Sequence, residues 1–244
     1  MCIRDRIGKY VELKDSYISI AESLIHAGAR NKTKVNLHWI HSSKLETQDC
    51  KSVLKNIHGI IVAPGFGSRG IEGKIKAVHY ARTKKIPFLG ICLGMQCAVV
   101  EFARNILKMK NANSIEIDSK TKFPVISMME QQKKLKKMGG TMRLGAYKCD
   151  IKKGTLLHKI YKKETILERH RHRFEFNNKY VKEFESKGLI FSGKNSKNQL
   201  METIEIKDHP WFIGVQYHPE YKSTVENPHP IFLGLIEAGL KQSL

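Results

Sequence analysis

The stretch Pro87-Phe-Leu-Gly-Ile-Cys92-Leu-Gly-Met-Gln96 decides the fold, because it joins a short apolar strand to a helix through one cysteine. Val99, Phe102 and Ile106 follow at helical spacing, and Glu101 is left for the solvent face. A cysteine at a strand-to-helix turn points its sulfur clear of the sheet, and the helix N-terminus favours the thiolate. The pattern therefore predicts a nucleophile at position 92.

The segments before this turn repeat the alternation of strand and helix. Residues 59–63 form a continuous apolar run, which is typical of a parallel strand covered on both faces. Residues 71–81 carry apolar side chains at helical spacing and lead into the strand before Cys92. Strand, helix, strand, helix predicts an α/β fold with a mostly parallel central sheet flanked by helices. Residues 17–28 predict a further helix and residues 35–39 a further strand.

Net charge and hydropathy indicate which macromolecular partners to expect. The chain has 43 Lys and Arg against 23 acidic residues, a formal net charge of +20. No aromatic RNA-binding motif or basic recognition helix accompanies the lysines, so we expect solvated basic faces and no nucleic acid partner. No apolar run approaches the ~18 residues that a membrane span needs, so no membrane partner is expected.

The cysteines indicate the compartment. They are odd in number and lack paired CxxC spacing, which favours free thiols, a cytoplasmic location and no metal site. These residues are Cys2, Cys50, Cys92, Cys97 and Cys149.

His218 and Glu220 are candidates to complete a catalytic site with Cys92. A cysteine nucleophile needs a base that takes and returns protons, and the base needs a third group to hold its tautomer. His218-Pro-Glu220 follows a predicted strand, as Cys92 does. Since the carboxyl ends of parallel strands meet at one edge of a sheet, the three side chains are predicted to converge there.

Several longer motifs carry a family resemblance. Beside the cysteine and His-Pro-Glu runs they are Gly67-Ser-Arg-Gly-Ile-Glu-Gly-Lys74, Asn111-Ala-Asn-Ser114, Gly139-Gly-Thr-Met-Arg-Leu-Gly145, Glu168-Arg-His-Arg-His-Arg173 and His209-Pro-Trp-Phe212. With them the chain resembles the class I glutamine amidotransferase domain of the CTP synthase family. The resemblance implies a flavodoxin-like fold and a glutamine-hydrolysing enzyme.

The resemblance assigns catalytic roles residue by residue. Cys92 attacks the side-chain amide of L-glutamine, His218 protonates the departing ammonia and then activates water against the thioester, and Glu220 orients His218. The backbone amides of Leu93 and Gly65 are the implied oxyanion donors. The products are glutamate and ammonia.

The resemblance also implies how glutamine is held. Glu116 would meet the α-ammonium and Arg173 the α-carboxylate, which a guanidinium can bind bidentately. Phe66 and Arg69 belong to a lid near which GTP acts as activator. The full set of implied glutamine-binding residues is Gly65, Leu93, Gly94, Met95, Gln96, Glu116 and Arg173.

The chain departs from the family pattern at its start and in the loop after residue 63. Pro64, which has no backbone donor, replaces a glycine of the family loop, so Gly65 is kept as the donor. Charged residues stand where the family has an apolar first strand. We therefore expect a non-native or artefactual leader at 1–6 that forms no regular strand, and an amidotransferase domain at 7–244.

The sequence contains no phosphate loop and no amidoligase half. The resemblance implies that a separate synthetase domain uses ATP and Mg to aminate UTP to CTP, and that full-length members form homo-oligomers. Residues 111–140 show no regular pattern, and the portion 131–137 is polar and basic, so the whole segment predicts an irregular, mobile surface insertion.

Three other interpretations stay open. One is a class I amidotransferase that serves another acceptor, and a second is a catalytically silent fragment. Gly65-Phe-Gly-Ser-Arg-Gly70 also matches a dinucleotide-binding loop, although no acidic residue follows at the distance needed for the ribose. His170 and His172 alternate on a predicted strand and share a face, without a matching set of metal ligands.

Overall fold

The computed structural model describes residues 4–8, 17–128 and 142–243, with side chains described for the two longer ranges. Residues 129–140 of the predicted insertion lie outside these ranges, whereas residues 111–128 contain the strands β5 and β6 given below, so that part is not irregular throughout. The strands are β1 (Arg4–Gly8), β2 (His38–His41), β3 (Ile60–Val62), β4 (Phe88–Ile91), β5 (Asn113–Ser114), β6 (Pro124–Met128), β7 (Arg143–Ile151), β8 (Thr165–His172), β9 (Phe174–Phe176), β10 (Leu189–Asn195), β11 (Leu200–Ile206) and β12 (Phe212–Val215). The helices are α1 (Ile18–Arg30), α2 (Lys44–Thr47), α3 (Cys50–Val53), α4 (Ile71–Lys84), α5 (Leu93–Asn105), α6 (Leu156–Tyr161), α7 (Val181–Ser186) and α8 (Pro230–Gln242).

Within the described residues one sheet has nine strands in the order β2-β1-β3-β4-β12-β11-β10-β7-β8. The pairings from β2 to β12 are parallel, and those from β12 to β8 are antiparallel. The α/β architecture flanked by helices is confirmed, and the antiparallel half extends it beyond the parallel core. The strands β5, β6 and β9 form a second, three-stranded sheet in the order β5-β6-β9.

The central sheet is covered by apolar side chains on both faces. Ile60 and Val62 of β3 pack into one core cluster with α4 and α5. Ile61, between them, packs into a second cluster with α1 and α8, because successive strand residues point to opposite faces. This explains the continuous apolar run of residues 59–63.

The expectation that residues 1–6 form no regular strand is wrong for residues 4–6. Arg6 pairs with Trp39 of β2 and with Ile61 of β3, so β1 lies inside the sheet. Strand pairing is made by backbone groups, and β2 and β3 offer partners on both sides whatever side chains β1 carries. The assignment of 1–6 as a non-native leader and of 7–244 as the domain stays a prediction.

The predicted solvent exposure of Glu101 is also wrong. Its side chain is fully buried, with Oε1 2.7 Å from Nη2 of Arg82 and 2.8 Å from Nδ1 of His79. Both partners come from α4, which packs against α5. The periodicity of α5 alone does not reveal a cation supplied by a neighbouring helix.

Candidate active site

Cys92 occupies the predicted turn between β4 and α5. Its φ of +52° lies in a region that non-glycine residues seldom adopt, and its N–H donates to the carbonyl of Val215 at 2.7 Å. The side chain is 6% exposed. A strained residue at the end of a buried strand presents its sulfur at the sheet edge, as the sequence predicted.

Two glycines allow this turn to form. A Cβ added to Gly90 meets the backbone of Gly94 at 2.7 Å, and one added to Gly94 meets the carbonyl oxygen of Val62 at 2.0 Å. Real Cβ atoms do not approach backbone so closely. The spacing Gly-x-Cys-x-Gly is therefore a packing requirement of the turn, since α5 lies directly against β3 and β4.

His218 reaches Cys92 because β12 pairs with β4. The register sets Val215 opposite Ile91, so the residues that follow the two strands are neighbours. The His218 N–H donates to the carbonyl of Arg169 on β8 at 2.8 Å, which fixes the backbone there. Both Cys92 and His218 line one cavity.

Glu220 returns to His218 through a short 3-10 turn, Pro219–Lys222. Its Oε1 lies 2.7 Å from Nδ1 of His218, and both side chains are buried. An ionised carboxylate only accepts hydrogen bonds, so Nδ1 is the donor. The Nε2 atom is buried and makes no hydrogen bond with the described residues, which leaves it for chemistry at Cys92.

The electrostatics of His218 favour the imidazolium. Burial acts to lower its pKa, but Cys92 and the Glu220 carboxylate outweigh burial and hold the pKa well above its usual value. Tyr221 stacks on the ring, with 5.2 Å between centroids. A protonated His218 beside the sulfur is the state that can deliver a proton to a leaving group.

The cavity at this edge has a volume of about 780 Å³. It is lined by Tyr17, Pro64, Gly65, Phe66, Cys92, Leu93, Gln96, Glu116, Met142, Arg171, His172, Arg173, Phe174, His218 and Tyr221. Acidic Glu116 and basic Arg173 therefore share one cavity with the sulfur, as an amino acid substrate would require.

The loop after β3 covers part of this cavity. Phe66 is 69% exposed at its tip, and the N–H of Gly67 donates to Oε1 of Glu116 at 3.0 Å. Leu93 lies at the first position of α5, where a backbone N–H has no partner within the helix. The loop and this helix end thus both line the cavity that contains the sulfur.

Some implied site residues do not line the cavity. Gly94 and Met95 are buried behind the turn, and Arg69 is an exposed residue of the loop. Gly94 is needed for close packing against Val62, and Met95 belongs to the core. Their direct contact with glutamine stays a prediction.

Gln216 is a neighbour of the sulfur that the sequence reasoning missed. Its Nε2 lies 3.6 Å from Sγ of Cys92, and its Oε1 accepts from Nε2 of Gln96 at 3.2 Å. Nε2 of Gln96 also donates to the carbonyl of Phe174 at 2.9 Å. This chain of amides orients the Gln216 N–H toward the sulfur. Its position two residues before His218 was the available signal.

A buried ionic network supports the strands beside the cavity. The Arg143 guanidinium lies 2.6 Å from Oε1 of Glu202 and 3.2 Å from Oε1 of Glu175. His172 in turn lies 2.6 Å from Glu175. Burial raises the pKa of Glu202 to about 8, although Arg143 opposes the rise. His170 lies on the same face of β8 as His172. Burial is the main cause that lowers its pKa, and the positive charge of Arg143 lowers it further.

Two absences hold for the described residues. Among them no three His, Cys, Asp or Glu side chains are grouped as a metal site would need. Within the same ranges, no helix combines the length and apolarity of a membrane span.

Known proteins with similar sequences belong to a family whose type of site matches the arrangement of Cys92, His218 and Glu220. A family model described as glutamine amidotransferase class-I matches residues 12–238. A protein of Christiangramia forsetii called CTP synthase is 56% identical over 238 residues, which are 98% of this chain and 44% of that protein. Another of that name from Cytophaga hutchinsonii is 58% identical over 232 residues, 95% of this chain and 43% of the relative. The chain thus spans less than half the length of these curated relatives.

A solved structure matches the fold over nearly the whole chain. It is the glutaminase domain of Trypanosoma brucei CTPS with bound acivicin, with a TM-score of 0.92 and 32% identity. The match covers 99% of this chain and 94% of that structure.

Proposed function

The chain belongs to the class I glutamine amidotransferase family, and on this premise we propose that it hydrolyses L-glutamine to glutamate and ammonia through a thioester on Cys92. The observation that carries the proposal is the assembly at one cavity of Cys92, His218 and the Glu220 carboxylate behind it. An acidic and a basic side chain that line the same cavity suit the two charges of an amino acid.

In the first step the Cys92 thiolate attacks the side-chain amide carbon of glutamine, and a C–S bond forms. The negative charge that develops on the amide oxygen is met by the N–H groups of Leu93 and Gly65. Nε2 of the His218 imidazolium then gives its proton to the amide nitrogen, the C–N bond breaks and ammonia leaves. The γ-glutamyl thioester remains.

In the second step His218, now neutral, takes a proton from water while the water oxygen attacks the thioester carbon. The C–S bond breaks, glutamate leaves, and the thiolate beside an imidazolium is restored. The raised pKa of His218 supports this cycle, because the resting site then holds the proton that the first step needs. Glu220 keeps Nδ1 protonated, so that Nε2 handles the proton in both steps.

Glutamine binding follows from the charges that line the cavity. Arg173 suits the α-carboxylate and Glu116 the α-ammonium, and Gln96 lines the same cavity. The Glu116 bond to Gly67 supports a lid role for residues 66–69, since bound substrate would compete for that carboxylate. Phe66 and Arg69 are the lid residues to which we assign the response to GTP.

The larger protein that this function serves is part of the same proposal. Because the chain spans less than half of relatives called CTP synthase, we assign it to the ammonia-producing half of such an enzyme. A synthetase domain would use this ammonia with ATP and Mg to aminate UTP in pyrimidine biosynthesis, within a homo-oligomer. The four free cysteines among the described residues support a reducing compartment such as the cytoplasm.

The proposal is tested by glutamate release from glutamine by the purified chain, with Cys92→Ala and His218→Ala as matched variants. Release that disappears in both variants is the expected result. Acivicin, bound in the trypanosomal structure, supplies a second readout. Mass spectrometry is expected to find an adduct on Cys92 that glutamine suppresses, whereas an adduct on another cysteine, or none, contradicts the proposal.

A further inference from the structure

Lys74 is buried beside the loop that carries one oxyanion donor. Its side chain has no exposed surface, and it lies in the first turn of α4. Nζ donates to the carbonyl of Ala63 at 2.5 Å and lies 3.5 Å from the carbonyl of Pro64. Burying an amino group costs free energy unless its donors are used, and both carbonyls lie within reach of this one.

The Pro64 carbonyl belongs to the same peptide unit as the Gly65 N–H. In a trans peptide these two groups point in opposite directions. Pro64 has no N–H of its own, so its carbonyl is the backbone group through which this residue can be hydrogen bonded. Lys74 approaches them from the protein interior, while Pro64 and Gly65 line the cavity.

We propose that Lys74 is a positioning residue that fixes the Pro64 carbonyl and thereby directs the Gly65 N–H at the oxyanion. The inference rests on the proposed function, since an oxyanion forms only if Cys92 attacks an amide. Tyr17 contributes from the cavity wall, where its hydroxyl donates to the same Pro64 carbonyl at 3.4 Å. The loop therefore works with a proline because outside donors hold its peptide plane.

The test is Lys74→Met in the full chain, with Lys76→Met as its matched control. Lys76 lies on the same helix, is exposed and donates to the carbonyl of Glu46, away from the cavity. We expect kcat for glutamine hydrolysis to fall about 10- to 100-fold in Lys74→Met, because an oxyanion donor is misdirected. KM is expected to change little, since Lys74 does not line the cavity.

A second readout separates positioning from general damage. Iodoacetamide alkylates a thiolate by displacing iodide, and no oxyanion forms. We therefore expect the alkylation rate of Cys92, followed by mass spectrometry of its peptide, to match the unsubstituted chain in Lys74→Met. An unchanged kcat overturns the inference, and so does a parallel loss of hydrolysis and alkylation.

If Lys74→Met does not fold, Tyr17→Phe decides. This variant removes one hydroxyl from the same carbonyl, and we expect kcat to fall about 2- to 10-fold with unchanged alkylation. A kcat equal to that of the unsubstituted chain overturns the inference. Absence of turnover before any substitution overturns the proposed function itself, and the inference with it.

Discussion

Replacing Glu220 by glutamine tests how much of the activity depends on its charge. The carboxylate lies 2.7 Å from Nδ1 of His218, and the two side chains are 6% and 5% exposed, so solvent screens the pair weakly. A hydrogen bond to a charged group contributes about 1.5–3 kcal/mol and a neutral one about 0.5–1.5 kcal/mol. A glutamine amide oxygen still accepts from Nδ1, so about 1–2 kcal/mol of imidazolium stabilisation is lost. This corresponds to a fall in kcat of about 5- to 30-fold.

The assay is glutamate release at saturating glutamine, with Glu226→Gln as the control. Glu226 is an exposed carboxylate on the segment that follows β12. KM for glutamine is expected to stay unchanged, because Glu220 is not among the residues that line the cavity. The limb of the pH profile that reports His218 is expected to move to lower pH, since the carboxylate helps to raise that pKa. A kcat within about twofold of the unsubstituted chain refutes the role of Glu220.

Two further predictions concern the buried network. Above pH 8, where Glu202 is ionised, Arg143→Met leaves the carboxyl groups of Glu175 and Glu202 without their cation and is expected to cost about 3–5 kcal/mol of unfolding free energy, measured by urea unfolding at that pH. Lys148→Met, at an exposed pair with Asp150, should change it little, and an equal loss in both variants contradicts the account. Burial raises the pKa of Glu202 from 4.5 to about 8, so between these values the folded chain binds the extra proton and stability falls as the pH rises. Glu202→Gln is expected to flatten that fall by up to about 1.4 kcal/mol per pH unit in unfolding titrations, and an unchanged slope is the contrary result.

The local turn at Cys92 was predictable because its determinants lie within a few residues. An apolar strand, glycines on both sides of the cysteine and a helical pattern after it leave few other arrangements. The helix α4 and the strand β3 were predictable for the same reason, since their apolar periodicity extends over whole elements. His218 was assigned to the same edge because parallel strands end together, and the pairing of β12 with β4 bears this out.

What the sequence did not reveal depends on neighbours distant along the chain. Glu101 is buried because α4 supplies Arg82, which no pattern within α5 records. Gln216 touches the sulfur only because β12 lies beside β4, and Lys74 reaches Pro64 only once the loop is folded. The strand β1 forms although its residues are charged, since its place is set by two flanking strands.

The central claim is that Cys92 carries the glutamyl group during hydrolysis. Acid quenching of the chain during turnover with isotopically labelled glutamine, followed by mass spectrometry of its peptides, tests this most directly. The account predicts a labelled γ-glutamyl thioester on the Cys92 peptide that is absent from Cys92→Ala. Glutamate release that persists in Cys92→Ala, or label on any other residue, contradicts it.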